Sequence, residues 1–322
     1  MLEKIVDSIR NNENILEKKG LAPIIDFVDV NSFKNLTRIH SDIGEDSAAI
    51  NFNESYILVT TDRIRTDFIE NFPYGAGFSA ILVSIDDIYA CGGFPLAASL
   101  IISYEDEDKG KKILEGICDA SKKFHVPIIR GHTKARGKTY ELSSTVIGEI
   151  KKNDYISARN AQVNDKIILA VDFEGKVGKA SRYYFDTTTF KNSENVLRKR
   201  KAMNIIAQSH LAHSSKDISN SGIFGTILQL IQYSGVGANI NINKIVIPPI
   251  LKELDYTIEI YTKMYLTTSF ILTAPEKNCE KILEIFKDYG LNASIIGKII
   301  KNKNLLRLNE GNENKSVDVI KF

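Results

Sequence analysis

The sequence predicts a layered α+β (α/β) protein of two domains, and three observations carry that expectation. The chain has 322 residues, 43% of them hydrophobic and 25% charged, ample material for a sizeable core and more than one domain usually holds. Runs rich in β-branched and aromatic residues alternate with helix-period segments, as layered sheets and helices require. The alternation occurs twice, on either side of the polar stretch KKNDYISARNAQVND. That stretch places a boundary near 151–160, with an N-terminal domain over 1–155 and a C-terminal domain over 156–322.

Taken in order, MLEKIVDSIRNNENILEKKG has the spacing of a charged amphipathic helix rather than of a signal peptide. Strands are predicted at SYILVTT, LAASLIIS, VPIIRG and ELSSTVIGEI, with helices at AGFSAILVSIDDIYACGG and KGKKILEGICDASKKF. The first of these helices ends at Gly92-Gly93 before Pro95, as helices often do. The second half offers strands at DKIILAV, ANININKIVI, TTSFILTA and ASIIGKII, and KSVDVIKF fits either a strand or a frayed tail. The run RKRK at 198–201 is expected on a solvated helix face.

Composition excludes several classes. A net charge of +2 gives no electrostatic case for a nucleic-acid or membrane-surface partner. Cys91, Cys118 and Cys279 form no C-x-x-C pair, so neither a disulfide framework nor a structural zinc site is indicated. No apolar run is long enough to span a bilayer. The expectation is a soluble protein of the reducing cytoplasm.

Chemistry enters with the carboxylates. HSDIGEDSAAI, residues 40–50, sets Glu45 and Asp46 after a glycine and ahead of a strand, where an isolated pair reads as a solvated turn. Asp62 closes SYILVTT at a sheet edge, a place where open sheets put ligand groups. Asp86 and Asp87 are adjacent on a helix, about 100° apart, so both cannot face one site. Asp217 in KDISNSGIFGTILQL precedes a helix that Ser219, Asn220 or Ser221 could cap, leaving amides free for an anion. Each acid alone has a plain reading as turn, strand end, helix face or cap. If they converge, two carboxylates 4 Å apart repel by about 4 kcal/mol at an effective dielectric of about 20, and a cation must be present. Magnesium suits an all-oxygen donor set, with nucleotide phosphates completing its shell. No P-loop is present, and GKVGKA at 175 and GVGANI at 235 are incomplete dinucleotide fragments.

Six segments then match in order between about residues 40 and 300. GEDSAAI is similar to a GDDAA motif, VTTD to TTD, SIDDIYACGGFPLAASL to SDI-(A/Y)AMG-(G/A)-x-P, and KDISNSG to DISDG or DVTGFG. SGVGANININKIVIP is similar to SGVGAEIDLDKIP, and RGHTKARGK stands in the place of a GGDT or GGHS loop. The chain so resembles the superfamily of aminoimidazole ribonucleotide (AIR) synthetase, thiamine-monophosphate kinase, selenophosphate synthetase and the hydrogenase maturation dehydratase. The resemblance implies a homodimer whose N-terminal domains pair through a β-barrel, each C-terminal α/β domain closing over a cleft that holds ATP and Mg2+. Carried over by position, Asp46, Asp62, Asp87 and Asp217 are implied metal residues, Asp46 and Asp217 also catalytic. Thr61, Asp62, Asp87, Gly131, His132, Thr133 and Asn220 are implied to bind the nucleotide. The implied function is an ATP-dependent, Mg-requiring phosphotransferase or synthetase acting on an unidentified small-molecule acceptor. The alternative is a nucleotide-binding regulatory or assembly protein that has lost catalysis, and a partner protein presenting the substrate is left open.

Departures from the family patterns narrow the reading. No cysteine lies in the N-terminal segment and none follows Asp318, which argues against the selenophosphate and cysteine-carbamoylating activities. Asn220 replaces the kinase motif's second aspartate and Val83 an asparagine, which argues against thiamine-monophosphate kinase. FDTTTFKNSENVLRKRKAMNIIA is most similar to AIR synthase-related proteins of unassigned substrate, including methanogenesis marker protein 2. Asp86 stands where relatives have Ser and is expected behind the ligands or in solvent. Asp186, Thr187, Thr188 and Thr189 read as a phosphate site or a polar loop, and His132 as a ligand-binding or structural imidazole. His210 and His213 read as a surface helix pair, His40 as a neighbour of phosphate, and His125 as a helix cap. Lys18 and Lys19, with the N-terminal helix, could cover the cleft.

Overall fold

A computed structural model describes residues 2–20, 22–33, 37–42, 44–312 and 315–321, the side chains at 19, 20, 22, 25, 26 and 29 excepted. The N-terminal stretch forms two helices rather than one, α1 (Leu2–Arg10) and α2 (Glu13–Gly20), followed by α3 (Ala22–Asn31). The break has a local cause: the Asn12 side chain accepts the Asn14 amide at 3.0 Å and caps α2.

The first sheet contains β1 (Ile39–Ser41), β2 (Ala48–Phe52), β3 (Ser55–Arg63), β4 (Phe94–Tyr104), β5 (Ile128–Ala135) and β6 (Glu141–Lys151). Between them lie α4 (Thr66–Asn71), α5 (Pro73–Ala90) and α6 (Glu107–Phe124). The strand order is β1-β2-β3-β6-β4-β5, antiparallel except for β4 and β5, which α6 connects. Alternation along the strands gives the sheet two unlike faces. Leu58, Leu100, Leu142 and Val146 are buried under α5 and α6, whereas Ile57, Val59 and Ile147 are half-buried and Ile101 is 52% exposed on the open face.

The two helices cross closely because each supplies a glycine at the contact. A Cβ on Gly77 would lie 2.1 Å from the Ile113 carbonyl oxygen, and one on Gly116 2.1 Å from that of Tyr74. Asp106 caps the start of α6 by accepting the Lys109 amide, and His125 closes its end in the left-handed region at φ 55°, the capping role expected of it.

The second half adds β7 (Lys166–Val171), β8 (Lys176–Val177), β9 (Tyr184–Asp186), α7 (Ser193–Gln208), β10 (Ser214–Asp217), α8 (Gly222–Ser234) and β11 (Gly237–Asn241). Then follow α9 (Pro249–Glu253), α10 (Ile258–Tyr261), β12 (Tyr265–Leu266), β13 (Ser269–Ala274), α11 (Glu276–Asp288), β14 (Asn292–Ile300), β15 (Leu305–Asn309) and β16 (Val317–Lys321). Seven strands pair in the order β10-β13-β7-β14-β11-β15-β16, and β12-β9-β8 form a small separate sheet. Two expectations shift here. ANININKIVI is a strand only to Asn241, whose side chain accepts the Asn243 amide and opens a short 3-10 turn. KSVDVIKF ends in a strand, β16.

Period-two alternation in β7 divides the core. Ile168 and Ala170 join α5, α6, α7 and α11 in one continuous cluster, while Ile167, Leu169 and Val171 pack with α1, α2 and α8 in another. The N-terminal helices therefore rest on the second sheet's layer. RKRK is only half solvated: Arg198 and Lys201 are exposed, but Lys199 and Arg200 are 3% and 0% exposed, and Lys199 donates to Asp172 and Glu174 at 2.6 and 2.7 Å. Buried cations of this kind require carboxylate partners. Among the described residues no helix is long and apolar enough to cross a membrane.

Candidate functional site

The acids meet where β3, α5 and β10 approach the turn before β2. Carboxylate oxygens of Asp46, Asp87 and Asp217 lie within 4.8 Å of one another. Asp46 accepts the Asp217 backbone amide at 3.2 Å on one oxygen and the Lys216 ammonium on the other. Asp87, on α5, accepts the Thr60 hydroxyl at 2.5 Å. Asp62 stands outside this group of three but beside it, accepting Ser84 Oγ at 2.7 Å, and its charge acts on Asp87.

Electrostatics show how the group is balanced. Burial pushes the Asp87 carboxyl well above the ordinary carboxylate range, and the charges of Asp62, Asp217 and Asp46 push it further. Asp217 is raised likewise, by burial first and Asp46 second, with Lys216 opposing. Lys216 itself titrates above an ordinary lysine: burial disfavours its charge, but Asp46 and Asp217 outweigh burial. One ammonium is too little positive charge for this many carboxylates. The donor set, all carboxylate oxygen, fits a hard divalent cation such as Mg2+, and such an ion could hold the oxygens of a phosphate.

The turn that carries Asp46 is braced from behind. Gly44 has φ +99°, and a Cβ there would meet the Tyr233 ring at 3.0 Å and the Arg159 guanidinium at 3.2 Å. Glu45 does not join the cluster as its position beside Asp46 suggested. It turns to the segment after β6 and accepts Ser157 Oγ at 2.5 Å and the Ala158 amide at 2.7 Å. Burial raises its carboxyl, and these two bonds oppose the rise.

Asp86 and Asp87 diverge as helix geometry requires, yet neither is left to solvent. Asp86 is 2% exposed and receives Arg200 Nε at 2.7 Å, Arg200 Nη2 at 3.2 Å and the Thr268 amide at 3.3 Å. The Arg200 guanidinium also lies 5.0 Å from the centre of the Phe124 ring. This ion pair ties α5 to α7 behind the cluster.

Several expected residues lie elsewhere. Thr61 alternates with Thr60 and Asp62, so it faces the open side of the sheet and pairs with Thr145 at 2.9 Å. Asp62, Ser144, Leu100 and Gly131 form one row across β3, β6, β4 and β5. Gly131 is therefore three strand spacings, about 14 Å, from Asp62. His132 and Thr133 share that edge strand, which is exposed along its whole length, and His132 points to the open face. Within one chain Thr61, Gly131, His132 and Thr133 do not join the aspartates.

Asn220 is exposed, and its carbonyl accepts the Asn14 side chain of α2 at 3.0 Å. The N-terminal helices thus touch the loop after Asp217; Lys18 is half-buried, and the Lys19 side chain falls outside the described residues. The first amides of α8 are not free for an anion, since Gly222 and Ile223 donate to Ser219 and Thr262. Asp186 folds on its own loop, accepting the Thr188 and Thr189 amides at 2.9 and 3.0 Å, while Thr187 bonds Thr267.

His40 stacks on Tyr56 with ring centres 4.4 Å apart and meets Tyr155 edge-on. His210 and His213 follow the end of α7 rather than sharing a helix, and His213 pairs with Asp165 at 2.9 Å. Sequence reasoning missed Lys216, Thr60, Ser84 and Arg200. For Lys216 a signal existed: a lysine inside a short strand-like run, beside an aspartate, is buried only when paired.

Comparison with known proteins now adds to the geometry. The family described as AIR synthase related protein, N-terminal domain, matches residues 44–150, and its C-terminal domain matches 168–306. An uncharacterised protein of Methanocaldococcus jannaschii is 36% identical over 317 residues, 98% of this chain and 96% of that protein. Thiamine-monophosphate kinase of Buchnera aphidicola is 27% identical over 292 residues, 84% of this chain and 86% of the kinase. A solved structure of T. maritima PurL complexed with ATP superposes with a TM-score of 0.71 at 14% identity, over 88% of this chain. The match spans 47% of the PurL chain, about half its length, and supports the two-domain α+β fold alone. With both family domains matched in order, and a relative 36% identical over nearly the whole chain, this protein belongs to the AIR synthase related proteins.

Proposed function

We propose that this protein is an ATP-dependent, magnesium-requiring enzyme that phosphorylates or activates a small-molecule acceptor. The observation that carries the reading is the convergence of Asp46, Asp87 and Asp217 within 4.8 Å, with too little positive charge to balance it. In this reading those three aspartates hold Mg2+, Asp62 adds charge beside them, and Asp46 and Asp217 act in catalysis. A bound magnesium would neutralise the cluster and polarise phosphate oxygens. The chain's own part is positioning and exclusion of water, which is where catalysis of phosphoryl transfer chiefly lies. The relatives support the nucleotide: one is named a kinase and a structural neighbour is complexed with ATP.

The reading includes a homodimer. Ile57, Val59 and Ile147 form an apolar patch on the open sheet face, and Ile101 lies exposed on the same face next to the edge strand β5. Surfaces of both kinds are usually covered. Two copies pairing these faces would bury Thr61 and His132 at the interface, where Gly131, His132 and Thr133 can serve the partner's nucleotide.

The test is turnover. The protein is incubated with MgATP and a cellular small-molecule extract, and ADP and phosphorylated products are followed by phosphorus NMR. Formation of ADP above the level of Asp217→Asn is expected; an equal rate in both proteins would overturn the assignment.

A further inference from the structure

The Asp46 contacts hold more than a metal reading requires. Both Asp46 oxygens are engaged, one by the Lys216 ammonium and one by the Asp217 amide. By contrast, among the described residues Asp87 has a single donor, Thr60, and no hydrogen bond is made to the Asp217 carboxylate. One of the three cluster carboxylates is thus capped by a cation on a flexible stem, while the other two stay open. The Lys216 side chain is 7% exposed, so water does not compete for its ammonium. A second partner lies nearby, the Tyr233 ring, with its centre 5.8 Å from Nζ. Ammonium groups are attracted to aromatic faces at such range.

We propose that Lys216 is a tethered counter-ion that competes with the divalent cation for Asp46, giving way toward the Tyr233 ring when the metal binds. The inference rests on the metal reading above and adds what this chain does to regulate it. A structural ion pair and a competing one differ in sign. If Lys216 only holds Asp46 in place, its removal loosens the carboxylate and weakens metal binding. If it competes, its removal clears one oxygen and takes away a positive charge beside the dication, and metal binding tightens.

The experiment is calorimetric titration of Mn2+, without nucleotide, into wild type, Lys216→Met and Tyr233→Leu, with thermal melting of each. Lys216→Met is expected to melt lower without metal and to bind Mn2+ about tenfold tighter or more. Tyr233→Leu, which removes the alternative partner, is expected to bind Mn2+ several-fold weaker. Should Lys216→Met not fold, Lys216→Gln keeps a donor for Asp46 without the charge and carries the same expectation. Unchanged or weaker Mn2+ binding in the lysine variants, beside measurable binding in wild type, overturns this inference and leaves the metal reading standing. No Mn2+ binding to any of the proteins overturns both.

Discussion

Asp87→Asn gives the account a prediction with a worked magnitude. Carboxylate oxygens within 4.8 Å of one another repel by about 3.5 kcal/mol or more at an effective dielectric of about 20, and Asp87 has two such neighbours. Without metal the protein relieves this by keeping a proton, which is the sense of the raised Asp87 and Asp217 carboxyls. Holding a proton at pH 7 on a group whose ordinary value is near 4 costs at most about 4 kcal/mol, at about 1.4 kcal/mol per unit. The neutral asparagine avoids that cost, so a gain of about 2–4 kcal/mol is expected in the metal-free protein.

Unfolding entropy of about 2.1 cal/mol/K per residue turns this into a rise of about 3–6 °C in Tm for a chain this long. Wild type in Mg2+ at about 100 times Kd should gain about 2.7 kcal/mol, or some 4 °C, and Asp87→Asn should lose that response. The pH dependence has a definite sign. Because both folded carboxyls are raised, their contribution in EDTA is present below the ordinary carboxylate value and lost as pH rises through the folded one. The Mg2+-induced rise in Tm should accordingly grow from pH 5 to pH 8. Differential scanning calorimetry in EDTA and in Mg2+ measures all of this. A lower metal-free Tm for Asp87→Asn, with the Mg2+ response intact, would refute the reasoning and make Asp87 a plain acceptor for Thr60.

Three further predictions follow from the packing. Arg200→Met should destabilise by about 3–5 kcal/mol by leaving Asp86 buried and unpaired, and Arg200→Met with Asp86→Leu should recover part of the loss; urea midpoints decide. Gly116→Ala forces a Cβ toward the Tyr74 carbonyl at the crossing of α5 and α6 and should cost about 1–3 kcal/mol, whereas Ala at solvent-exposed Lys112 should change the urea midpoint little. Ile101→Glu, on the open sheet face, should convert a species of twice 36.0 kDa into one of 36.0 kDa by light scattering; a monomeric wild type would contradict the dimer.

Much of this was legible in the sequence, for reasons that differ by residue. Four of the six strands of the first sheet were readable because β-branched runs are bounded by turns, whereas β1 and β2 are short and lie within the polar stretch around the GED turn. The meeting of Asp46, Asp87 and Asp217 was legible only through the resemblance of their motifs to the family's, because each acid by itself reads as a turn, a helix face or a strand end. Thr60, not the Thr61 that the motif names, bonds Asp87, because a strand turns neighbours to opposite faces. Gly131, His132 and Thr133 lie three strand spacings from Asp62 within one chain, a separation that order along the sequence does not reveal. Arg200 and Lys199 were misread because a basic run looks solvated until the buried Asp86 and Asp172 that pair with it are known. Lys216 escaped notice because its partner lies 170 residues away in sequence, beyond any periodicity.

The most direct test of the central claim is calorimetric titration of ATP into the wild-type protein and into Asp46→Asn, with magnesium and with EDTA. The account predicts binding that requires magnesium and that weakens at least tenfold in the variant. ATP binding of equal strength in EDTA, or none in either protein, would contradict it.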